Sequence, residues 1–453
     1  MNPMKTFALS ARSLPLDDSW DVIVAGGGPA GCTAAAAAAR EGARTLLFEQ
    51  TGCLGGMGTS GLLNQWMSFT DWNRMIIRGL GERVFEACRA GIPHAPKGDC
   101  QPIDTELLKR VYDELVTRHG AEIRFNTFVA GVETDGAGGV AALLVAGKAG
   151  LQAFRAGVYI DCTGDGDLAA WAGAEAHRGD PRTGELMPTT LCFTLGNVDP
   201  YAYQHGPPLW PTVVEQIVGS GRYTADIPDR FLVPVVVGPG LIGCNAGHQW
   251  DVDSADPRSV SRALLQGRRT AKAFRDALAE FHPRAFANSH LVATAAALGV
   301  RESRRIIGDY VLTVDDYYAR RGFPDEICRN AYCIDIHPSK AEHADELDGR
   351  TRNDTARYAP LKPGETHGIP YRCLTPRGIR NLLVAGRCIS CERPVQGAVR
   401  IMPICLAMGE AAGLAAALAV RGDGDVHAVD TRRLCRRLVE EGGFLPDADT
   451  GGA

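Results

Sequence analysis

The chain is short of several things. No apolar run in its 453 residues approaches the about 18 that a membrane-spanning helix requires. Its opening segment, MNPMKTFALSARSLPLDDSW, lacks the continuous apolar core of a secretory leader. An excess of one charge is also missing. Forty-eight Lys and Arg stand against 53 Asp and Glu, for a net charge of −5, and the basic residues cluster only briefly, as at Arg432-Arg433 and Arg436-Arg437. Neither nucleic acid nor a membrane is therefore expected as a partner. The 14 cysteines are scattered singly except for Cys388-Ile389-Ser390-Cys391. With no second pair there is no zinc or iron–sulfur ligand set, and no metal is expected. Dispersed thiols of this kind suit a reducing compartment, so the expected location is cytoplasmic. Internal repeats and low-complexity stretches are absent. What remains is 45% hydrophobic and 22% charged, ordinary for a globular protein and long enough for two to three domain-sized units.

The strongest positive signal is DVIVAGGGPAG at 21–31. An apolar strand (21–25) runs into Gly26-Gly27-Gly28-Pro29-Ala30-Gly31 and then into an Ala-dominated helix (29–41), with a second strand at 44–49. In this βαβ unit the first glycine permits the tight turn, the second lets a pyrophosphate approach the backbone, and the third lets helix and strand pack closely. Free N–H groups at the helix N-terminus would hold the phosphates. Glu49, with Gln50 after it, ends the second strand where a carboxylate accepts from an adenosine ribose. Beyond it, GCLGGMGT (52–59) extends the glycine-rich region in a way that suits a flavin dinucleotide better than a nicotinamide one.

A second Gly-x-Gly-x-x-Gly, Gly238 to Gly243 in VVVGPGLIGCNAG, fails the tests of context. No helix begins in it, no βαβ unit follows, and Pro234 demotes the preceding run to an edge or bulged strand. It reads as a hairpin turning through Pro239-Gly240, and only one dinucleotide site is expected.

Elsewhere, 104–119 has helical spacing behind a capping Asp104. Short alternating strands separated by Asp-Gly and Gly-Gly turns form a meander that ends in a core strand at 157–162. Helices are expected at 258–280 and 288–299. Strand-like character is expected in DYVLTVDD and before His337, and a loop at 338–366. A strand at 381–385 and a long helix at 402–421 close the chain. The fold class is α/β: a doubly wound, Rossmann-like dinucleotide domain, discontinuous, with an inserted α+β substrate domain. Its parts are 18–184 and 371–440, with 185–370 mainly the insertion, the segment 288–307 packing back on the dinucleotide domain, and tails at 1–17 and 441–453.

Five stretches in order along the chain carry a family resemblance: DVIVAGGGPAG (21–31), TGCLGGMGT (51–59), YIDCTGDGDLAAWAG (159–173), LGVRESRRIIGDYVLT (298–313) and NLLVAGRCIS…AVRIMPICLAMGEAAG (381–413). They resemble the FAD-dependent oxidoreductases of the glutathione-reductase-like superfamily. The resemblance implies FAD as cofactor and roles for matching positions. Gly26, Gly28 and Gly31, with Pro29 and Ala30 between, would meet the pyrophosphate, and Glu49 the ribose. Gly55, Gly56, Met57 and Thr59 fall in the stretch lining the flavin side. The backbone of Val129 would meet adenine, Thr163-Gly164-Asp165 would close over the dinucleotide, and Gly386-Arg387 would lie near the ribityl chain. The helix from Met402 would aim its N-terminus at the flavin's pyrimidine end. Gln396 and Arg400, just before that helix, are candidate contacts to flavin or substrate.

Candidate catalytic groups keep alternative readings. In Arg301-Glu302-Ser303-Arg304-Arg305, Arg301 or Arg304 either forks a substrate carboxylate or belongs to an interdomain ion-pair network. His337 either takes a proton near neutral pH or sits as a core or capping histidine. His248, just beyond the hairpin and so a candidate for the substrate pocket, and Arg372 stand beside it as candidates. Asp167 is expected to cap the following helix, and the Cys388/Cys391 pair to be structural. The expected reaction is hydride removal from a C–H bond of a small polar substrate to flavin N5, by a dehydrogenase or oxidase. The alternatives are an NAD(P)H-dependent flavin monooxygenase or reductase and a flavin-carrying electron-transfer subunit. A small-molecule substrate and a homo-oligomer are the expected partners.

Overall fold

Strand Val22–Ala25 is apolar at every position and buried on both faces, as a strand covered by helices on each side must be. It sits third in a five-stranded parallel sheet ordered Leu382–Val384, Val158–Asp161, Val22–Ala25, Thr45–Phe48, Glu122–Arg124. Val22 pairs with Val158 on one side and Thr45 on the other. The computed structural model describes residues 7, 10–90, 100–347 and 358–446, and this sheet joins strands as far apart in the chain as Val22–Ala25 and Leu382–Val384. The architecture is mixed α/β with a Rossmann-like parallel core.

Two helices cover the site end of the sheet. Pro29–Arg40 follows the glycine motif, and Met402–Val420 lies against it. Their approach is close enough that a Cβ on Gly409 or Gly413 would stand 2.1 Å from the carbonyl oxygen of Ala30 or Ala34. The Arg40 Nη1–Glu410 Oε1 pair, at 2.9 Å and nearly buried, ties the two helices together. Met402–Val420 corrects one expectation. At 19 residues and mean hydropathy 1.7 it is long and apolar enough to cross a membrane, although here it is buried within the protein. Its small Ala and Gly residues and the single Glu410 hid a run that is apolar on every side, as a central core helix is.

A second, antiparallel sheet runs Leu232–Gly238, Leu241–Ala246, Phe193–Gly196, His290–Thr294. The second glycine motif is its edge hairpin, turning at Pro239-Gly240 with Gly240 at φ +67°, and Pro234 lies on that edge strand. Helix Pro257–Phe281 packs Ala271, Phe274 and Leu278 into the core beneath this sheet. The expected helix at 288–299 does not form. His290–Thr294 instead pairs with Phe193–Gly196, so the sheet's pairing overrides the helix propensity of the alanines. The 288–307 segment still reaches the glycine loop, because Ala296 N and Ala297 N donate to Ser60 O.

The meander is Phe128–Thr134, Val140–Gly147 and Gly150–Phe154. Leu16–Asp17, expected in the N-terminal tail, adds a parallel strand to its edge. Of the C-terminal tail, Leu445 is buried and 447–453 lie outside the described residues. DYVLTVDD forms no strand, because Thr313 and Asp316 make a capping box that starts helix Val314–Ala319. The strand before His337 ends at Asn330, leaving 331–338 irregular. Within the expected loop 338–366, Lys340–Leu347 is helical and 348–357 lie outside the described residues.

Candidate active site

The glycine motif builds a cradle at the C-terminal edge of the parallel sheet. A Cβ on Gly31 would lie 1.8 Å from the Gly26 carbonyl oxygen, so helix and turn touch through bare backbone. At Gly28 a Cβ would meet, among the described residues and beyond its two chain neighbours, no atom within 4 Å. The position faces open space at the start of Pro29–Arg40, a helix whose first turn has no side-chain cap. Unsatisfied N–H groups beside such a space suit a phosphate. The buried Glu49 carboxylate accepts from Gly27 N at 2.7 Å and Thr51 N at 2.7 Å, locking the glycine turn to the second strand. Its two oxygens retain acceptor capacity for ribose hydroxyls. Gln50 is exposed. Gly55 N donates to Gly27 O, and a Cβ on Gly56 would come 3.1 Å from Gly28 Cα. Thr59 Oγ1 closes this loop on Leu54 O at 2.6 Å. Met57 points to Gly299, and the Met402 sulfur lies against Gly58. These features fit a bound FAD.

The later motifs converge on the same edge. Gly386 packs against Ala30. Arg387 Nη2 pairs with Asp165 Oδ1 at 2.7 Å, its Nε donates to Gly164 O at 2.8 Å, and its Nη1 donates to Val300 O. Thr163 Oγ1 donates to Asp161, whose carboxyl burial pushes up to about 6. Val129 is the second residue of the first meander strand, and Thr127, just before that strand, donates from its N to Glu49 O. Two smaller expectations divide. Asp167 is not the helix cap: Gly166 holds that place at φ 66°, and Asp167 pairs with Arg304 at 2.8 Å. Cys388 and Cys391 are free, buried thiols, with Cys391 pushed up to about 12 by burial, consistent with structural residues.

Beyond the edge hairpin, two of the candidate histidines meet. His248 Nε2 and His337 Nδ1 are 2.8 Å apart, and His248 Nδ1 lies 2.5 Å from Asp229 Oδ2. His337 Nε2 is 3.6 Å from Asp335 Oδ1, and Arg400 Nη2 holds the other Asp335 oxygen at 3.1 Å. Phe231 stacks on His248 at 4.1 Å, sets its edge against His337 at 5.2 Å, and carries the Arg301 guanidinium over its ring at 5.3 Å. Trp250 closes the far side, donating from Nε1 to Pro338 O at 3.0 Å. Gln396 Nε2 donates to Arg301 O at 2.9 Å, and its buried Oε1 has no partner among the described residues.

Burial, and then Arg301, push the His337 pKa down to about 3. Burial also lowers His248, against the pull of Asp229. Burial alone raises the carboxyls of Asp229 and Asp335. The His248 imidazole and the backbone N–H groups of Phe231 and His248 together outweigh it at the first, and His337, Arg400 and Arg301 together at the second, so both stay ionised.

Thus His248, His337, Arg301, Gln396 and Arg400 come together. The other two catalytic candidates are engaged elsewhere. Arg304 pairs with Asp167, and Arg372 forks Asp325 at 2.9 and 3.1 Å while stacking over Tyr310. Asp229, Asp335 and Phe231 complete the cluster without having stood out in the sequence. Asp229 comes 19 residues before its imidazole, in Pro-Asp-Arg, a context typical of any turn.

A family model described as FAD dependent oxidoreductase matches residues 21–438. Among solved structures, the chain is similar to a geranylgeranyl bacteriochlorophyll reductase-like protein from Thermoplasma acidophilum, with 13% identity and TM-score 0.45 over 97% of this chain and 82% of that one. It is similar to the OxyS anhydrotetracycline hydroxylase from Streptomyces rimosus, with 18% identity and TM-score 0.40 over 64% of this chain and 54% of that one. It is also similar to BexE, with 15% identity and TM-score 0.46 over 93% and 68%. With a family match running from the first strand of the glycine motif to the last helix, the chain belongs to the FAD-dependent oxidoreductase family: it is an enzyme, and FAD is its cofactor.

Proposed function

We propose that this oxidoreductase is a dehydrogenase or oxidase that removes a hydride from a C–H bond of a small polar organic substrate while His337 takes the accompanying proton. When bound, FAD supplies the two-electron acceptor. One observation carries the reading: the line of hydrogen bonds from His337 through His248 to Asp229, whose imidazoles are held neutral in a nearly dry site.

The partners determine the tautomers. Ionised Asp229 requires a proton on His248 Nδ1, which leaves His248 Nε2 as an acceptor. His337 Nδ1 must then donate to it, and His337 Nε2 keeps a free lone pair. A substrate proton accepted at Nε2 is stabilised by Asp335, 3.6 Å away. The charge can be shared along the line as His337 Nδ1–H passes its proton to His248 Nε2. Asp229 thus orients the pair, and Arg400 fixes Asp335. Phe231 and Trp250 keep water from competing for the lone pair.

On the cofactor side, the N–H groups at the start of Pro29–Arg40 take the pyrophosphate, Glu49 the ribose, and Val129 backbone the adenine. The 55–59 loop, Thr163-Gly164-Asp165, Gly386-Arg387 and the helix from Met402 complete the surround. In this reading 18–184 and 371–440 hold the cofactor and 185–370 brings Asp229, His248, Arg301 and His337 to face it. The only other dinucleotide-like motif is an edge hairpin, which supports electrons entering from the substrate itself. The test is anaerobic reduction of the holoprotein by a metabolite panel. The compound that bleaches the wild type should do so at least about a hundredfold more slowly in His337→Gln, and equal rates would remove His337 from the mechanism.

A further inference from the structure

We infer that Arg301 binds a carboxylate of the substrate, so that the oxidised molecules are small carboxylic acids carrying the reacting C–H next to the carboxylate. This rests on His337 being the proton acceptor, and it adds what the other end of the substrate must be.

The arginine-rich cluster separates cleanly. Arg305 pairs with Glu302 at 2.6 Å, and Arg393 reaches the same carboxylate at 3.1 Å. Arg304 is taken by Asp167, Arg400 by Asp335 and Arg387 by Asp165. Arg301 differs from all of these. It is 7% exposed, yet among the described residues no carboxylate lies within ion-pair distance of it. Among the described residues its guanidinium makes one hydrogen bond, from Nη1 to Pro188 O at 2.9 Å. The rest of the guanidinium lies over the Phe231 ring, the same ring that flanks both imidazoles.

A charge removed from water without a counter-ion is costly, and the strain shows: burial and the neighbouring Arg400 push Arg301 down to about 10. Asp229 and Asp335 ease this from a distance, but each is committed to its own histidine. What the site lacks is an anion with planar, two-oxygen geometry matching the unused donors. Phe231 provides the common wall, so a carboxylate on Arg301 places the adjacent carbon toward His337.

For a 2-hydroxy acid the step balances simply. The carbinol carbon loses its hydrogen with both bonding electrons to FAD, its O–H gives a proton to His337 Nε2, the C–O bond becomes C=O, and a 2-oxo acid leaves. The reduced cofactor returns its electrons to dioxygen or another two-electron carrier.

The experiment reads binding rather than turnover. The holoprotein is titrated with acetate, benzoate and pyruvate, and with acetamide and benzamide, following perturbation of the visible flavin band. At least one carboxylate should saturate while its amide stays silent. Arg301→Met should weaken that binding by roughly tenfold or more, and Arg301→Lys, which keeps the charge but loses the fork, severalfold. FAD content should not change. The ligand-free Tm of Arg301→Met should match or exceed wild type, because an unpaired buried charge is gone. His337→Gln should still bind the carboxylate, which separates failure of this proposal from failure of the proton-acceptor reading. The proposal is overturned if no carboxylate perturbs the band, if amides bind as well as acids, if both Arg301 variants bind with unchanged affinity, or if both lose FAD.

Discussion

His248 and His337 stand nitrogen to nitrogen at 2.8 Å, one from the turn after the edge hairpin and the other from the irregular segment 331–338. With Asp229 behind the first and Asp335 beside the second, the pair has one consistent neutral arrangement, and that arrangement leaves a single lone pair at His337 Nε2.

Asp229 should therefore matter through tautomer rather than charge alone. Asp229→Asn can present an N–H to His248 Nδ1 and reverse the whole line. Reduction of the bound cofactor by the substrate should slow by roughly a hundredfold or more. Retained FAD and a near-native Tm would show that the loss is chemical, and a wild-type rate would refute the orienting role.

Stability should fall with acid in a defined window. His337 and His367 are both depressed by burial, to about 3 and about 4, against the usual 6.5. The unfolded chain then binds more protons than the folded one below 6.5. Their contribution is complete above that pH and declines as pH falls toward the folded values. Tm measured from about pH 7.5 to about pH 4.5 should drop, and His367→Asn should flatten the slope without touching the imidazole pair. A slope unchanged in His367→Asn would contradict the burial of that imidazole in its neutral form.

Two glycines of one motif should fail differently. Gly28→Ala places its methyl where, among the described residues and beyond its two chain neighbours, no atom lies within 4 Å, so the apoprotein should keep its Tm while FAD affinity falls. In Gly31→Ala the methyl would be 1.8 Å from Gly26 O, so the turn itself must shift and stability as well as FAD should be lost. Thermal melts with flavin content distinguish the two. Full FAD occupancy in Gly28→Ala would remove the phosphate from that space.

Removing Glu410 should cost fold rather than chemistry. Its carboxylate holds Arg40 at 2.9 Å and accepts from Leu80 N at 2.8 Å. Glu410→Ala leaves the Leu80 amide unpaired and strips the nearly buried Arg40 of its shortest ion pair, with Glu441 at 3.1 Å remaining, a loss of about 2 kcal/mol by denaturant unfolding. A loss below about 0.5 kcal/mol would show that Arg40 is satisfied by Glu41 and Glu441 alone.

The cofactor half of this site was legible because its chemistry needs backbone, and backbone needs glycine at fixed spacing. Gly26, Gly28, Gly31 and Glu49 are contiguous enough to carry their own context, and the hairpin at Gly238–Gly243 could be set aside by the same test. The substrate half was legible only as isolated residues. His248 and His337 are 89 positions apart, and nothing local says that they touch. Asp229 and Asp335 sit in ordinary turn-like sequence, and Arg301 looks no different from Arg304 or Arg305 until their partners are known. The helix expected at 288–299 failed for a related reason, since the pairing of His290–Thr294 with a distant strand outweighs a local run of alanine.

The central claim is that this FAD enzyme takes its electrons from an organic substrate, and anaerobic titration of the yellow holoprotein tests it most directly. A small organic acid should bleach the flavin band at one equivalent per chain while NADPH alone leaves it unchanged. Bleaching by NADPH alone would contradict it.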